Sequence, residues 1–444
     1  MTLISPAPDR ALVRAIAPST VRPLVKRMHF YAGLFVAPLL ALLCLTGLAY
    51  AFTPELDAAV YAHEFTAPAQ ETPRPLAAQV AAAEAAHPQW TVESVAPPTK
   101  PDRTTAVTMT APGMSDRTVY VDPYTAGIRG VLSTVNGRPP LQEWLRELHG
   151  NLHGGTVGRW YSETAASWLP ILIGGGLVLW LGRRRGARSS RLVPTGRRAG
   201  RARSRAWHGC LGLWLALGLA GLSATGLTWS HYAGARFERL VTAADGHTPE
   251  LKSSPITAGA RTIPVDAALA TARQAGLREP LSITVPDGPT APYTISETGQ
   301  SWPIHRDQVG VDPYRGQLTG RLDFADYPLL AKLTTIGILA HQGTLFGLPN
   351  AIALAVFAVA TLALIGFGYR MWWQRRPAAG GLPPTPARGG WRSIRPATAA
   401  IGVALAVLLA WALPLLGVTL AGFLCYDVLR ALVLGIQAGG NEGR

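Results

Sequence analysis

The chain has 444 residues, of which 48% are hydrophobic and 15% charged, and its formal net charge is +15. With a mean hydropathy of +0.18, those figures exclude a single soluble domain and fit a polytopic membrane protein with sizeable soluble parts. The basic excess is unevenly placed, which argues for membrane topology and against nucleic acid as a partner.

Residues 1–28 read as a basic tail, and 29–52 as a first transmembrane helix with Pro38 inside it. Segment 53–163 is an outer module: an alanine-rich helix near 75–87, strands at 90–95, 106–110 and 118–121, an Asp122-Pro-Tyr turn, and a helix from Pro140 to His153. Residues 164–182 form the second span and 183–207 an arginine-rich loop with ten arginines and no acid. The third span is 208–231. Segment 232–348 repeats the outer plan, with a helix near 264–275, strands at 281–285 and 293–296, an Asp312-Pro-Tyr turn and a helix from Pro328 to His341. The fourth span is 349–373, ending at Trp372-Trp373. A linker, 374–396, leads to a fifth span, 397–424, broken by Pro414 and without a counterpart in the repeat, and a tail, 425–444.

Of the 26 acids, 23 lie in segments 53–163 and 232–331, whereas arginines flank the spans at 14–27, 183–207 and 370–395. The positive-inside rule therefore puts the N-terminus and both arginine-rich segments in the cytoplasm, and the long segments outside. The three cysteines, Cys44, Cys210 and Cys425, form no CxxC and read as small apolar fillers. The first apolar run reads as a retained anchor, not a cleaved signal.

The central feature is an internal repeat. Met28–Tyr50 and Trp207–Trp229 each open on a histidine, and His29 to Thr46 and His208 to Thr225 span the same 17 positions before Gly-Leu. The Asp-Pro-Tyr turns correspond. Pro140 to His153 and Pro328 to His341 each span 13 positions. Both halves start and end inside, so they are parallel repeats about an axis along the membrane normal. This symmetry predicts His29 facing His208, and His153 facing His341. A span of about 20 residues separates its ends by roughly 30 Å, so each pair forms its own layer.

A histidine inside an apolar helix is costly and usually marks function, and neutral imidazole is a common metal ligand. Duplication of a structural histidine is the plain alternative. On this alignment His149 pairs with Gly337 and stands outside the symmetric core, as a second outer ligand or an edge residue; His231 likewise has no counterpart. Thr-Gly-Leu and Gly174-Gly175-Gly176 read as helix-packing features. Arg146, Arg159, Lys332 and Arg236 read as interfacial cations. No triad, P-loop, GxGxxG or HExxH is present.

Arg27-x-His29-x-Tyr31-x-Gly33-Leu34 through Thr46-Gly47-Leu48, the two Asp-Pro-Tyr turns, Leu148-His149-Gly-Asn-Leu-His153, Ala165-Ala166-Ser167-Trp168, Trp207-His208-Gly209 through Thr225-Gly226-Leu227, and Ala340-His341-Gln-Gly343 together resemble the PepSY-associated transmembrane family of bacterial inner-membrane proteins. The resemblance covers most of residues 24–376 and implies small α/β PepSY-like modules in both outer segments. The expected fold is an α-helical membrane bundle of four core transmembrane helices, as two parallel repeats, with two small extracytoplasmic α/β PepSY-like modules, plus a fifth helix by which this sequence departs from the family. It also implies haem b, expected as two groups, ligated by His29, His208, His153 and His341, with His149 and His231 as further candidates. The implied activity is reduction of an extracytoplasmic ferric siderophore by an electron donor such as a quinol or a cytoplasmic reductase. A non-enzymatic regulator of a peptidase or other partner, and a transporter, are the competing readings.

Overall fold

In the computed structural model the described residues are 22–111, 113, 115–182, 199–378, 380–386 and 395–441. Residues 1–21 of the expected basic tail fall outside them, as do most of the arginine-rich loop and part of the last linker, while residues 22–28 of that tail open the first helix. In chain order the helices and strands are α1 (Arg22–Phe35), α2 (Ala37–Tyr50), α3 (Thr53–Val60), α4 (Ala62–Phe65), α5 (Leu76–Ala86), β1 (Thr91–Ala96), β2 (Thr105–Thr110), β3 (Arg117–Val121), β4 (Ile128–Ser133), α6 (Pro140–Asn151), α7 (Gly155–Leu181), α8 (Gly200–Leu227), α9 (Tyr232–Ala243), α10 (Val265–Gln274), β5 (Leu281–Thr284), β6 (Tyr293–Glu297), β7 (Gln308–Val311), β8 (Leu318–Leu322), α11 (Leu329–Gln342), α12 (Leu348–Trp373), α13 (Pro396–Ala412) and α14 (Pro414–Asn441). They divide into two compact units: Met1–Cys44, Arg159–Phe237 and Val359–Arg444 form one, and Leu45–Gly158 with Glu238–Ala358 the other.

Among the described residues three helices, α7, α8 and α12, are long and apolar enough to cross a membrane, and α1 with α2 forms a fourth candidate bent by 52°. The first unit shows how such a bundle tolerates proline. Pro38 has no N–H, so the Leu34 carbonyl four residues back loses its helical partner. The Tyr369 hydroxyl donates to that carbonyl at 2.7 Å. Pro170, inside α7, strands the Ala166 carbonyl in the same way, and the Ser223 hydroxyl donates to it at 2.9 Å. In each case a hydroxyl from another helix satisfies the backbone that proline opened, as an apolar solvent requires. Ala32, Val36, Leu40, Ala165, Trp168 and Leu416 pack as this unit's core. The Glu163 carboxylate, 2% exposed, caps α9 by accepting from Tyr232 N at 2.9 Å and Ala233 N at 2.8 Å.

The fifth span is broken at Pro414, where the sequence places the break. It stops at Ala412 and restarts at Pro414, with Leu413 non-helical between them. A proline cannot donate to the preceding turn, and α13 taken alone falls among the shorter apolar helices.

The second unit holds a single eight-stranded antiparallel sheet of order β4-β3-β2-β1-β5-β6-β7-β8. The two modules expected from the sequence are therefore its halves, joined where β1 meets β5 through Ser94–Thr284 and Val95–Ile283. Period-two burial in β2 and β6 turns Val107, Met109 and Ile295 inward, against α5 and α10. Asp266 of α10 reaches across to cap the other half's helix, accepting from Leu76 N at 2.6 Å and Ala77 N at 2.8 Å. Alanine stands at the corresponding position of α5, so this clasp runs one way only.

Each Asp-Pro-Tyr segment is an Asx turn. Asp122 accepts from Tyr124 N at 2.8 Å and Asp312 from Tyr314 N at 2.7 Å. Edge strands β4 and β8 went unread in the sequence because Gly130 and Gly320 interrupt their alternation. Those glycines are where covering groups press in: a Cβ at Gly130 would lie 2.7 Å from Glu64, and one at Gly320 would run into the Lys252 carbonyl.

Candidate functional site

In the first unit, the rings of His29 on α1 and His208 on α8 stand with centroids 6.2 Å apart, at 81° to one another. Both rings rest on glycines. A Cβ at Gly176 would lie 3.3 Å from His29 Cε1, and a Cβ at Gly368 would lie 3.4 Å from His208 Cε1. His208 Nδ1 lies 2.9 Å from the Leu364 carbonyl, one turn before Gly368. A carbonyl only accepts, so Nδ1 carries the proton and Nε2 the lone pair. His29 faces the corresponding carbonyl of Leu172 without closing a hydrogen bond of full geometry. Leu172-Ile-Gly-Gly-Gly176 and Leu364-Ile-Gly-Phe-Gly368 are thus one motif, 192 positions apart. Gly176 therefore seats a histidine ring, a role beyond the helix packing read from the sequence.

In the second unit, His149 of α6 and His341 of α11 have centroids 6.4 Å apart at 52°. The expected pairing of His153 with His341 is corrected accordingly. Helix α6 ends at Asn151, and Leu152 and His153 take left-handed φ of 51° and 53°. That turn carries His153 onto Trp144, with a centroid distance of 5.0 Å, and brings its Nδ1 to 3.3 Å from Glu147. His341 lies within α11. The matching residue is His149, at the same 192-position offset that relates Leu172 to Leu364; Gly155 and Gly347, both with positive φ, keep that offset too. Spacing from proline had misaligned the halves by four residues, and the Leu-Ile-Gly motif carried the correct register.

His149 is held from α2. Thr46 Oγ1 lies 3.0 Å from its Nδ1, and Tyr50 stacks on its ring at 6.4 Å and 7°. A Cβ at Gly47 would lie 3.0 Å from its Cε1, so glycine is what lets the ring approach. The Thr-Gly pair, read from the sequence as packing, positions an imidazole. His231 is exposed and packs edge-on against Tyr232 at 4.8 Å. Asn350 Nδ2 donates to the Ala340 carbonyl at 3.1 Å, tying the start of α12 to the residue before His341.

Two groups outside the membrane-spanning segments frame α6. The Asp57 carboxylate, 5% exposed with a buried Oδ1 that has no partner among the described residues, has a pKa raised to about 6 by burial, offset by the Gln142 backbone N–H. Beside it the Tyr61 hydroxyl accepts from Leu141 N at 3.1 Å. Glu143 is held down to about 2 by its bond with Arg146, against burial and with help from Arg138.

Two imidazole nitrogens bound on opposite sides of one metal, at about 2.0–2.1 Å each, put the ring centroids roughly 6 Å apart. Both pairs have that separation. Among the described residues no group of three or more His, Cys, Asp or Glu side chains gathers to hold a metal ion. Each pair would offer two imidazole nitrogens to a metal-containing cofactor placed between its rings.

No curated protein matches the sequence. The family model described as "PepSY-associated TM region" matches residues 26–375, a stretch that contains all four paired histidines. The chain is a membrane protein and belongs to this PepSY-associated transmembrane family.

Proposed function

We propose that this chain is a di-haem protein of the bacterial cytoplasmic membrane, N-terminus inside, that passes electrons from a quinol or a cytoplasmic reductase to an extracytoplasmic ferric siderophore. The observation that carries the reading is the presence of two separate imidazole pairs, at 6.2 and 6.4 Å, each drawn from both halves of the repeated sequence. When bound, haem b supplies reversible one-electron Fe(III)/Fe(II) chemistry.

The chain's own part is to hold and orient. Leu364 fixes the proton on His208 Nδ1 and leaves Nε2 as the donor. Gly176, Gly368 and Gly47 leave room for the rings they support. Apolar side chains of α1, α2 and α7 pack as the core of the unit that carries His29 and His208, and neutral imidazole is the ligating form.

The test is an absorption spectrum of protein purified from haem-replete cells, oxidised and dithionite-reduced, with haem counted per chain. The expected result is a low-spin b-type spectrum and two haems. Absence of a Soret band overturns the proposal and leaves the regulator and transporter readings standing.

A further inference from the structure

Two donors that the histidine chemistry does not use, Trp372 and Arg375, pack against Phe30, the residue after His29. The Trp372 indole Nε1 is buried and has no hydrogen-bond partner among the described residues. An indole N–H only donates, and a buried donor left unpaired calls for an explanation. Trp372 stands one helical turn beyond Gly368 and two beyond Leu364, the residues that seat His208.

The Phe30 ring, next in sequence to His29, lies 6.4 Å from the Trp372 ring and 5.1 Å from the Arg375 guanidinium carbon. Phe30 therefore has the indole and the guanidinium as neighbours. Arg375 is held below the usual arginine range by burial and by the like charge of Arg201. An anion would relieve both effects. Among the residues of this unit whose side chains are described, the one acid is Glu163, and it is committed to the start of α9. Among the described side chains of the unit, then, no carboxylate meets the buried indole N–H or the half-buried guanidinium.

We infer that Trp372 and Arg375 form a carboxylate-binding corner, which anchors an acidic side chain of the cofactor seated between His29 and His208. The inference rests on the haem reading above and adds which residues hold the cofactor's periphery. A planar guanidinium suits a carboxylate by geometry as well as charge, and the indole N–H adds a neutral donor. A phospholipid phosphate offers similar chemistry from a different source, and the experiment separates the two.

The test uses full-length protein with Trp372→Phe, which keeps the ring against Phe30 and removes only the N–H, together with Arg375→Gln and the double variant. Loss of haem to excess apomyoglobin is followed for protein loaded with haem and for protein loaded with haem dimethyl ester, whose carboxylates are blocked. In the wild type, one of the two haems should leave about tenfold faster as the ester, the effect of losing a charge-assisted hydrogen bond. In the double variant that difference should vanish, while the other haem leaves at its wild-type rate and so reports an intact fold.

Equal ester sensitivity in variant and wild type overturns the inference and leaves the haem reading intact. So does a wild type that ignores the ester, or a rate that follows added anionic phospholipid instead. A wild type that binds no haem at all overturns the haem reading itself.

Discussion

The His29–His208 and His149–His341 pairs have nearly the same ring separation, 6.2 and 6.4 Å, yet different means hold them. In the first pair each histidine lies against glycine of one repeated Leu-Ile-Gly motif, and the orienting group at His208 is a backbone carbonyl. In the second, His149 is oriented by side chains, the Thr46 hydroxyl and the Tyr50 ring, with Gly47 clearing space. Backbone support survives most substitutions. Side-chain support is open to tuning one residue at a time. The first pair should therefore behave as a fixed fitting and the second as an adjustable one.

Removing a ligand should have the largest effect. His208→Ala and His341→Ala should each lower the count from two haems to about one, whereas His153→Ala should leave it unchanged, because His153 sits on Trp144 and not opposite His341. Haem per chain by pyridine haemochromogen decides this, and loss of a haem in the His153 variant would break the pairing.

Filling the cradles comes next. Alanine in place of glycine inside a helix gains about 1 kcal/mol in intrinsic propensity. At Gly176 and Gly368 the new Cβ would stand 3.3 and 3.4 Å from a ring carbon, so the two effects should nearly cancel. At Gly47 it would stand 3.0 Å away and must displace His149. Gly47→Ala should therefore shift the reduced-minus-oxidised spectrum and release haem faster, and Gly368→Ala should do neither.

Thr46→Val should cost about 0.5–1.5 kcal/mol through the lost bond to His149 Nδ1. It is expected to shift the midpoint potential of one haem while both stay bound. Spectroelectrochemistry would resolve a shift confined to one of two components; a shift in both would blur the contrast between the pairs.

The smallest effect lies in pH. Asp57 has a folded pKa of about 6, above the ordinary carboxylate value, so the folded state holds its proton more tightly. That contribution to stability is present below about pH 4 and is lost as pH rises towards 6. Glu143, on α6, works in the opposite sense: held down to about 2, its contribution is present above the ordinary glutamate value and is lost as pH falls towards 2. Asp57→Asn should flatten the loss between pH 4 and 6, and Glu143→Gln should remove the stabilisation above the acid limb. Thermal unfolding from about pH 2 to about pH 7 measures both.

Much of this protein follows from its sequence. The apolar runs, the arginine placement, the duplicated histidines and the Asp-Pro-Tyr turns are local signals, set by hydrophobicity, charge and backbone chemistry, and they fixed the membrane class, the two-part plan and the prospect of paired imidazoles. Tertiary structure decided what depends on groups distant in the chain. Whether β1 meets β5, and so whether two modules become one sheet, turns on edge pairing that neither strand announces. Whether His149 or His153 faces His341 turns on where each falls relative to its helix end: His149 and His341 lie inside the last turns of α6 and α11, whereas His153 lies beyond the end of α6 in a left-handed turn. The hydroxyls of Tyr369 and Ser223 found the carbonyls that Pro38 and Pro170 exposed only because packing brought separate helices together. Periodicity reports which face of an element is buried; it carries no information about which distant partner lies against that face.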